Sequence, residues 1–153
     1  MATKPNTALI GIAGVHHVAS EMSRRGMVAL PTVRNTAAYD IVALNVEGTR
    51  HANIQVKASS KRVGFFPMPV AEKVRAGAHD VYVLVRWYEA EKRYEGFLLT
   101  GREARRAVEQ SVEYQQLAIK RGTLKAVFPC VYVDRRCEVD AQRWSEAWES
   151  WTL

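Results

Sequence analysis

The segment that most restricts how this chain can fold is Asp80 to Trp87 (DVYVLVRW), a run of β-branched and aromatic residues. Such a run predicts a β-strand, and we expect it to be central in a sheet. Tyr94 to Leu99 follows it across a turn and is expected to be its neighbour. Upstream, Tyr39 to Val46 (YDIVALNV) indicates a buried strand, and His51 to Ser59 (HANIQVKAS) alternates apolar and polar residues. The chain is therefore expected to be built around a sheet.

Helical patterns flank these strands. From Gly14 to Arg25 apolar residues recur at helical spacing, and the glycine that follows fits a helix end. The pair Thr100 and Glu103 has the spacing of a capping box and predicts a helix from about Arg102 to Ala118. Asp140 is expected to cap a closing helix.

Three tryptophans follow one face of this closing helix, namely Trp144, Trp148 and Trp151. We interpret them as core residues, because large aromatic side chains are usually buried. A base-stacking platform or a dimer face is the alternative interpretation.

Shorter signals predict the remaining elements: strands within Met27–Val33 and Val127–Val133, and a loop over Ser59–Pro69. The resulting order is a helix, three strands, a loop, two strands, a helix, a strand and a final helix. This order predicts an α/β fold, with a central mixed sheet flanked by helices. With 153 residues and neither repeat nor linker, the chain is expected to be one domain over residues 1–153.

The apolar segments are too short to cross a bilayer, which takes roughly 18 to 20 residues, so we expect no membrane partner. Thr7 to Val15 (TALIGIAGV) could be part of a signal peptide, but its glycines and the single basic residue before it favour the start of a core helix. Cys130 and Cys137 form neither a disulfide framework nor a zinc motif. These features predict a cytoplasmic protein.

The excess of positive charge lies in the N-terminal half of the chain. Residues 1–75 carry 10 Lys and Arg against 4 Asp and Glu, whereas residues 76–153 carry 12 of each, so the net charge of +6 belongs to the first half. A one-sided basic balance is typical of a surface that binds nucleic acid. A solvated face with no partner is the alternative that charge alone leaves open.

Asp40, Gln55 and Lys57 form the pattern with the clearest chemistry. Asp40 stands near the start of one predicted strand, and Gln55 and Lys57 share a face of the next, because side chains two apart on a strand point the same way. Phosphodiester hydrolysis uses a hard divalent cation held by oxygen ligands, whose bound water loses a proton more easily. A lysine beside it can orient the water or stabilise the charge that develops on the phosphate oxygens. The spacing suits that chemistry.

The segments YDIVA (residues 39–43) and IQVKAS (residues 54–59) resemble the signature of the PD-(D/E)XK nuclease superfamily. This group includes archaeal Holliday-junction resolvases, many restriction enzymes and small bacterial domains of unassigned function. The helix ending in RRG (residues 24–26) is similar to the one that precedes the signature in small bacterial members. The resemblance covers residues 8–60 closely and the strands near 80–99 loosely.

This resemblance implies a restriction-endonuclease-like core with a metal site. Asp40 and Gln55 would hold Mg²⁺ or Mn²⁺, together with the main-chain carbonyl of Val56. Lys57 would be the catalytic lysine, and Asp40 and Gln55 would act with it in catalysis.

The chain departs from the family in its acidic residues. Gln55 stands where the family usually has Glu or Asp, and an amide oxygen brings no charge, so metal affinity should fall. Many resolvase-like members place a Glu early in the first helix, where this chain has Val15. Glu21, on a different flank of that helix, is either a substitute ligand or a solvated residue.

The resemblance predicts a divalent-metal-dependent endonuclease acting on DNA, with Lys61 and Arg62 contacting the nucleic-acid backbone. The departures leave two alternatives open: a catalytically degenerate nucleic-acid-binding domain, and a protein-interaction domain of the same fold. Fold alone does not decide among them. The assembly state is also open, with a homodimer among the alternatives.

Overall fold

The computed structural model of the protein describes residues 6–33 and 39–153. Over these residues the helices are α1 (Thr7–Arg24), α2 (Gly101–Lys120) and α3 (Glu138–Ser150). The strands are β1 (Val28–Pro31), β2 (Ile41–Leu44), β3 (His51–Ser59), β4 (Phe65–Pro67), β5 (Asp80–Tyr88), β6 (Arg93–Thr100) and β7 (Cys130–Tyr132). Short 3-10 turns lie at Ala71–Lys73 and Arg135–Cys137.

Helix α1 begins earlier than Gly14 because Asn6 caps it, with its side chain accepting the N–H of Ala8 at 3.0 Å. The apolar run from Thr7 therefore belongs to the helix, as expected for the start of a core helix. Gly26 follows the helix end with a φ of +79°, which glycine adopts without strain. The predicted helix end is thus confirmed.

Five strands form the main sheet in the order β1-β2-β3-β5-β6. β3 and β5 run parallel, while the other neighbouring strands are antiparallel. This confirms the predicted α/β fold with a central mixed sheet flanked by helices. β5 is paired on both sides as expected, although β3 is the middle strand.

Hydrophobic cores lie on both faces of the main sheet. α1 covers one face, where Val18 and Met22 are fully buried in a core shared with β3 and β5. α2 covers the other face, where Val108 packs in a core with Leu84 of β5. The predicted capping box is present, because Thr100 Oγ1 accepts the N–H of Glu103 at the start of α2.

Helix α3 joins both cores. Trp148 belongs to the core under α1 and Trp144 to the core under α2, and each is only 3% exposed. Trp148 packs directly on β6 at Gly96, where any side chain would overlap the indole ring. The interpretation of these two tryptophans as core residues is confirmed.

Two predictions about the remaining elements are wrong. The stretch Ser59–Pro69, predicted to be a loop, contains β4, which pairs antiparallel with β7 in a separate two-stranded sheet. Asp140 does not cap α3, because Asp134 accepts the N–H of Arg136 and caps a 3-10 turn that leads directly into the helix. None of the helices in the described ranges is long and apolar enough to span a membrane.

Candidate active site

The candidate site lies where β2 and β3 diverge. Their ladder ends at the pair Ile41 and Ile54, and the backbone N–H of Asp40 donates to the carbonyl of Ile54 at 2.9 Å. Residues 55–59 of β3 continue past this point, and on that side they have no further partner in β2. The divergence leaves an open edge beside Asp40.

The carboxylate of Asp40 occupies this open edge. Its Oδ2 accepts hydrogen bonds from Gln55 Nε2 at 2.5 Å and from the backbone N–H of Val56 at 2.7 Å. The Asp40 carboxylate therefore accepts the N–H of Val56 in place of the backbone carbonyl that a continued β2 strand would supply. The two neighbouring segments that the sequence singled out meet at this one oxygen.

The two faces of β3 differ as the alternation predicts. Ile54 and Val56 are buried toward α1, whereas Gln55 and Lys57 are half-buried on the opposite face. The side chain of Lys57 makes no hydrogen bond or ion pair with any residue in the described ranges. Its ammonium group is thus available for a ligand.

The carbonyl of Val56 also faces the open edge. Successive residues of a strand point their backbone groups alternately to its two sides. Asn53 donates its N–H to His79 on the β5 side, while Ile54 and Val56 use backbone groups toward Asp40. Because the N–H and C=O of one strand residue point the same way, the carbonyl of Val56 is directed to the same side of β3 as the N–H that it donates to Asp40.

A cleft of about 460 Å³ opens from this corner toward α1. Its walls come from α1, from the end of β1 and from the corner itself, and they comprise Gly11, Ile12, Val15, His16, Pro31, Thr32, Val33, Tyr39, Asp40, Gln55 and Val56. Lys57, which lies on the same face of β3 as Gln55, is not among these lining residues. The three expected metal ligands, Asp40, Gln55 and Val56, line the cleft, but the expected catalytic residue Lys57 does not.

The donors at this corner fit a hard divalent cation only weakly. Carboxylate, amide and carbonyl oxygens are ligands that Mg²⁺ accepts. However, Asp40 is the only acidic residue among the described residues that line the cleft, and Gln55 presents an N–H to Asp40 instead of an oxygen. The residues described in 6–33 and 39–153 contain no group of three His, Cys, Asp or Glu that could hold a metal. For Gln55 to bind a cation, its amide group would have to rotate so that the oxygen takes the place of the N–H.

The first helix supplies no acidic ligand to the described part of the cleft, which it lines with Gly11, Ile12, Val15 and His16. Val15, where the sequence resemblance would place a Glu, lines the cleft together with Asp40. Glu21 lies elsewhere, with its carboxylate 2.8 Å from Arg24 and 3.7 Å from Arg25. Glu21 lines a separate surface pocket with Trp148, so the structure does not bring it to the corner.

The loop after β3 that carries Lys61 and Arg62 is held in place by the buried guanidinium group of Arg86. Lys61 and Arg62 are exposed, and the Arg62 guanidinium lies 5.0 Å from the centre of the Tyr88 ring. Arg86, only 6% exposed, donates to the carbonyl of Val63 in this loop. Arg86 also donates to a carboxylate oxygen of Glu95 at 2.6 Å, which compensates its buried charge.

Sequence reasoning missed one cation beside the cleft. The guanidinium of Arg75 lies 4.6 Å from the centre of the Tyr39 ring, and Tyr39 lines the cleft next to Asp40. Arg75 also lies 4.0 Å from Asp80 Oδ1. No local pattern connects residue 75 with residue 39, because their contact depends on the packing of separate segments.

No protein-family model matches this sequence. No curated protein matches it either. A solved structure of a bacterial homing endonuclease, I-Ssp6803I, is similar at 18% sequence identity, with a TM-score of 0.45, and the match covers 65% of this chain and 68% of that chain. At this TM-score the likeness carries no argument, so the PD-(D/E)XK resemblance stays a prediction from the sequence.

Proposed function

We propose that this protein is a PD-(D/E)XK-type nuclease that hydrolyses phosphodiester bonds of DNA with Mg²⁺ or Mn²⁺. The observation that supports this proposal is the double hydrogen bond of Asp40 to Gln55 and Val56 at the point where two strands diverge. These two hydrogen bonds bring the carboxylate of Asp40, the amide of Gln55 and the backbone of Val56 together beside an open cleft.

Each residue has a distinct part in this proposal. Asp40, Gln55 and the carbonyl of Val56 would hold the metal, which supplies charge neutralisation and a more acidic bound water. Lys57 would place its ammonium group near the phosphate oxygens as their charge develops. Lys61 and Arg62 would contact the phosphate backbone on the exposed loop. The described residues give no support to a homodimer.

The test is incubation with supercoiled, linear and branched DNA, with and without Mn²⁺. We expect metal-dependent cutting by the wild type and a loss of about a hundredfold or more in Lys57→Ala. Lys73→Ala, which removes an exposed lysine of a 3-10 turn, is the matched control and should cut normally. Wild-type cleavage by Lys57→Ala would overturn the proposed mechanism.

A second candidate is a domain that binds nucleic acid without cutting it. Two observations favour it: the Gln55 amide donates to Asp40, and Val15 lines the cleft in place of an acid. The discriminating measurement is the melting temperature with millimolar Mg²⁺ or Mn²⁺. A metal site requires a rise in the wild type that is absent in Asp40→Ala. Binding of DNA without that rise and without cutting identifies the second candidate.

A further inference from the structure

A row of aromatic rings lies on the outer face of the small β4–β7 sheet. Phe65 of β4 has its ring centre 6.1 Å from that of Phe128 and 6.5 Å from that of Tyr132, and Tyr132 lies 6.0 Å from Tyr114 of α2. Phe65, Phe128 and Tyr114 are 40%, 52% and 54% exposed. We call these four residues the ring row. Phe128 and Tyr114, at its two ends, are the most exposed.

The exposure of the ring row follows from the alternation of the two short strands. Phe66 and Val131 are paired and face the core, so their neighbours Phe65 and Tyr132 lie on the opposite face, where Phe65 is exposed and Tyr132 is half-buried beside α2. These rings are not displaced core residues, because the core positions of both strands are filled. Phe65 and Tyr132 stay on this face of the small sheet while β4 and β7 are fully paired.

Phe128 is held in place by a buried polar side chain. Gln115 of α2 is 3% exposed, and its Nε2 donates to the carbonyl of Phe128 at 2.9 Å. Its Oε1 accepts the N–H of Phe128 at 2.6 Å. A backbone fixed on both sides presents its ring at little cost in conformational entropy when a ligand binds. Removal of the Phe128 ring leaves both bonds intact.

The segment of the chain between Tyr114 and Tyr132 is basic. Lys120, Arg121 and Lys125 are exposed, and no acidic residue occurs between Glu113 and Asp134. Arg136 stacks over the Tyr132 ring at 4.4 Å. A second copy of this surface would bring like charges together, which disfavours self-association through it. Flat exposed rings among cations are instead the features that bind single-stranded nucleic acid.

The ring row also adjoins the loop that carries Lys61 and Arg62. Phe65 comes shortly after Lys61 and Arg62, and the loop between them is tied to β7 by a 2.9 Å hydrogen bond from Val133 to the carbonyl of Gly64. We propose that the ring row stacks the bases of a single-stranded segment of nucleic acid next to this loop. This inference rests on the proposed function and assigns its substrate an unpaired stretch.

The test is binding of a fluorescent oligothymidine and of a duplex of equal length, by anisotropy in EDTA. We expect Phe128→Ala and Tyr114→Ala each to weaken single-strand binding about tenfold, with Phe128→Trp retaining it. Duplex binding should change by less than about threefold. Val139→Ala, at an 82% exposed position on α3, is the matched control and should bind as the wild type does.

Each outcome decides a separate point. Unchanged single-strand affinity in both ring variants overturns the inference, and so does a wild type that binds no oligothymidine. A concentration-dependent dimer in sedimentation that both ring variants abolish overturns it as well, in favour of a second copy. Single-strand binding that depends on the rings, in a protein that never cuts DNA, upholds the inference while the proposed hydrolysis fails.

Discussion

At the scale of single residues, the amide of Gln55 donates a hydrogen bond to Asp40 Oδ2, and the backbone of Val56 donates a second one to the same oxygen. Replacing Gln55 by Glu exchanges the first bond for repulsion between two carboxylates. One of their pKa values should then rise, and the metal-free protein should lose stability. A divalent cation would relieve this repulsion and gain a charged ligand.

We therefore expect Gln55→Glu to melt at a lower temperature than the wild type in chelator and to show a larger rise with Mg²⁺. Mg²⁺-dependent cleavage should appear or increase. Gln55→Leu is the control that removes the hydrogen bond without adding charge, so it should lack the Mg²⁺ response. Differential scanning fluorimetry measures both shifts. If Gln55→Glu alters neither, Gln55 and Asp40 do not share a metal site.

His17 makes folding stability depend on pH. Burial lowers its pKa, an effect that Glu21 opposes and Arg25 reinforces, and its ring stacks on Tyr94 at 4.4 Å. The unfolded chain, with a His pKa of about 6.5, then binds the proton more readily than the folded one. Stability due to His17 is therefore complete above about pH 6.5 and is lost as pH falls toward the lowered pKa.

His17→Gln should abolish this part of the pH dependence, as measured by urea midpoints between about pH 7.5 and pH 5. His16→Gln is the matched control, since His16 is its exposed neighbour on α1 and has no ring contact among the described residues. A wild-type loss of stability on acidification that persists in His17→Gln would assign the effect to another group.

At the scale of elements, two glycines of α1 have opposite surroundings. A Cβ added at Gly14 would overlap the Cβ of Ala58 on β3 and come within 3.4 Å of Val85, whereas a Cβ at Gly11 meets nothing within 4 Å. Alanine is favoured over glycine inside a helix by about 1 kcal/mol. Gly11→Ala should therefore raise the free energy of unfolding by up to about 1 kcal/mol.

Gly14→Ala should lower the free energy of unfolding by about 1–3 kcal/mol, because overpacking pushes α1 away from the sheet. Denaturant unfolding of the two variants measures both effects against one wild type. Equal effects of the two substitutions would show that α1 does not rest on Ala58 as described.

The elements differed in how far local sequence could predict them. β3 was predicted with its observed bounds because nine residues of alternation contain the whole signal. β4 was missed because three residues, among them Pro67, show no period, and its partner β7 lies far along the chain. The start of α3 was misplaced because a 3-10 turn capped by Asp134 leads directly into the helix, so Asp140 lies inside the first helical turn.

At the scale of the whole molecule, binding of nucleic acid should depend steeply on salt, because cations of the basic N-terminal half would release counterions from phosphates. Removing both Lys61 and Arg62 should reduce the slope of log affinity against log salt by roughly 1.8 for duplex DNA, if each contacts one phosphate. The exposed pair Arg102 and Arg106 of α2, in the half of the chain without net charge, provides the matched double-alanine control, which should leave the slope unchanged. An unchanged slope in the Lys61 and Arg62 variant would place the contact surface elsewhere.

The candidate site was predictable only where its parts are near in sequence. The sequence predicted that Asp40 and Gln55 lie together, because they stand in two neighbouring segments that resemble the nuclease signature. The structure joins the two side chains by a hydrogen bond. The apolar wall at Val15 and the stacked Arg75 depend on how distant elements pack, and no spacing rule encodes that. Whether the Gln55 amide offers an oxygen or a hydrogen is likewise a property of the folded corner.

The pairing of β4 with β7 joins Phe65 to Tyr132 across much of the chain with only three residue pairs. Closing so long a loop costs entropy that a short ladder repays poorly, so this corner should form late in folding and open first on warming. Amide hydrogens of β4 and β7 should then exchange with solvent faster than those of β3 and β5. The ring row would therefore lose its fixed arrangement below the global melting temperature, while the main sheet is still folded. Binding of unpaired bases would be lost at that lower temperature.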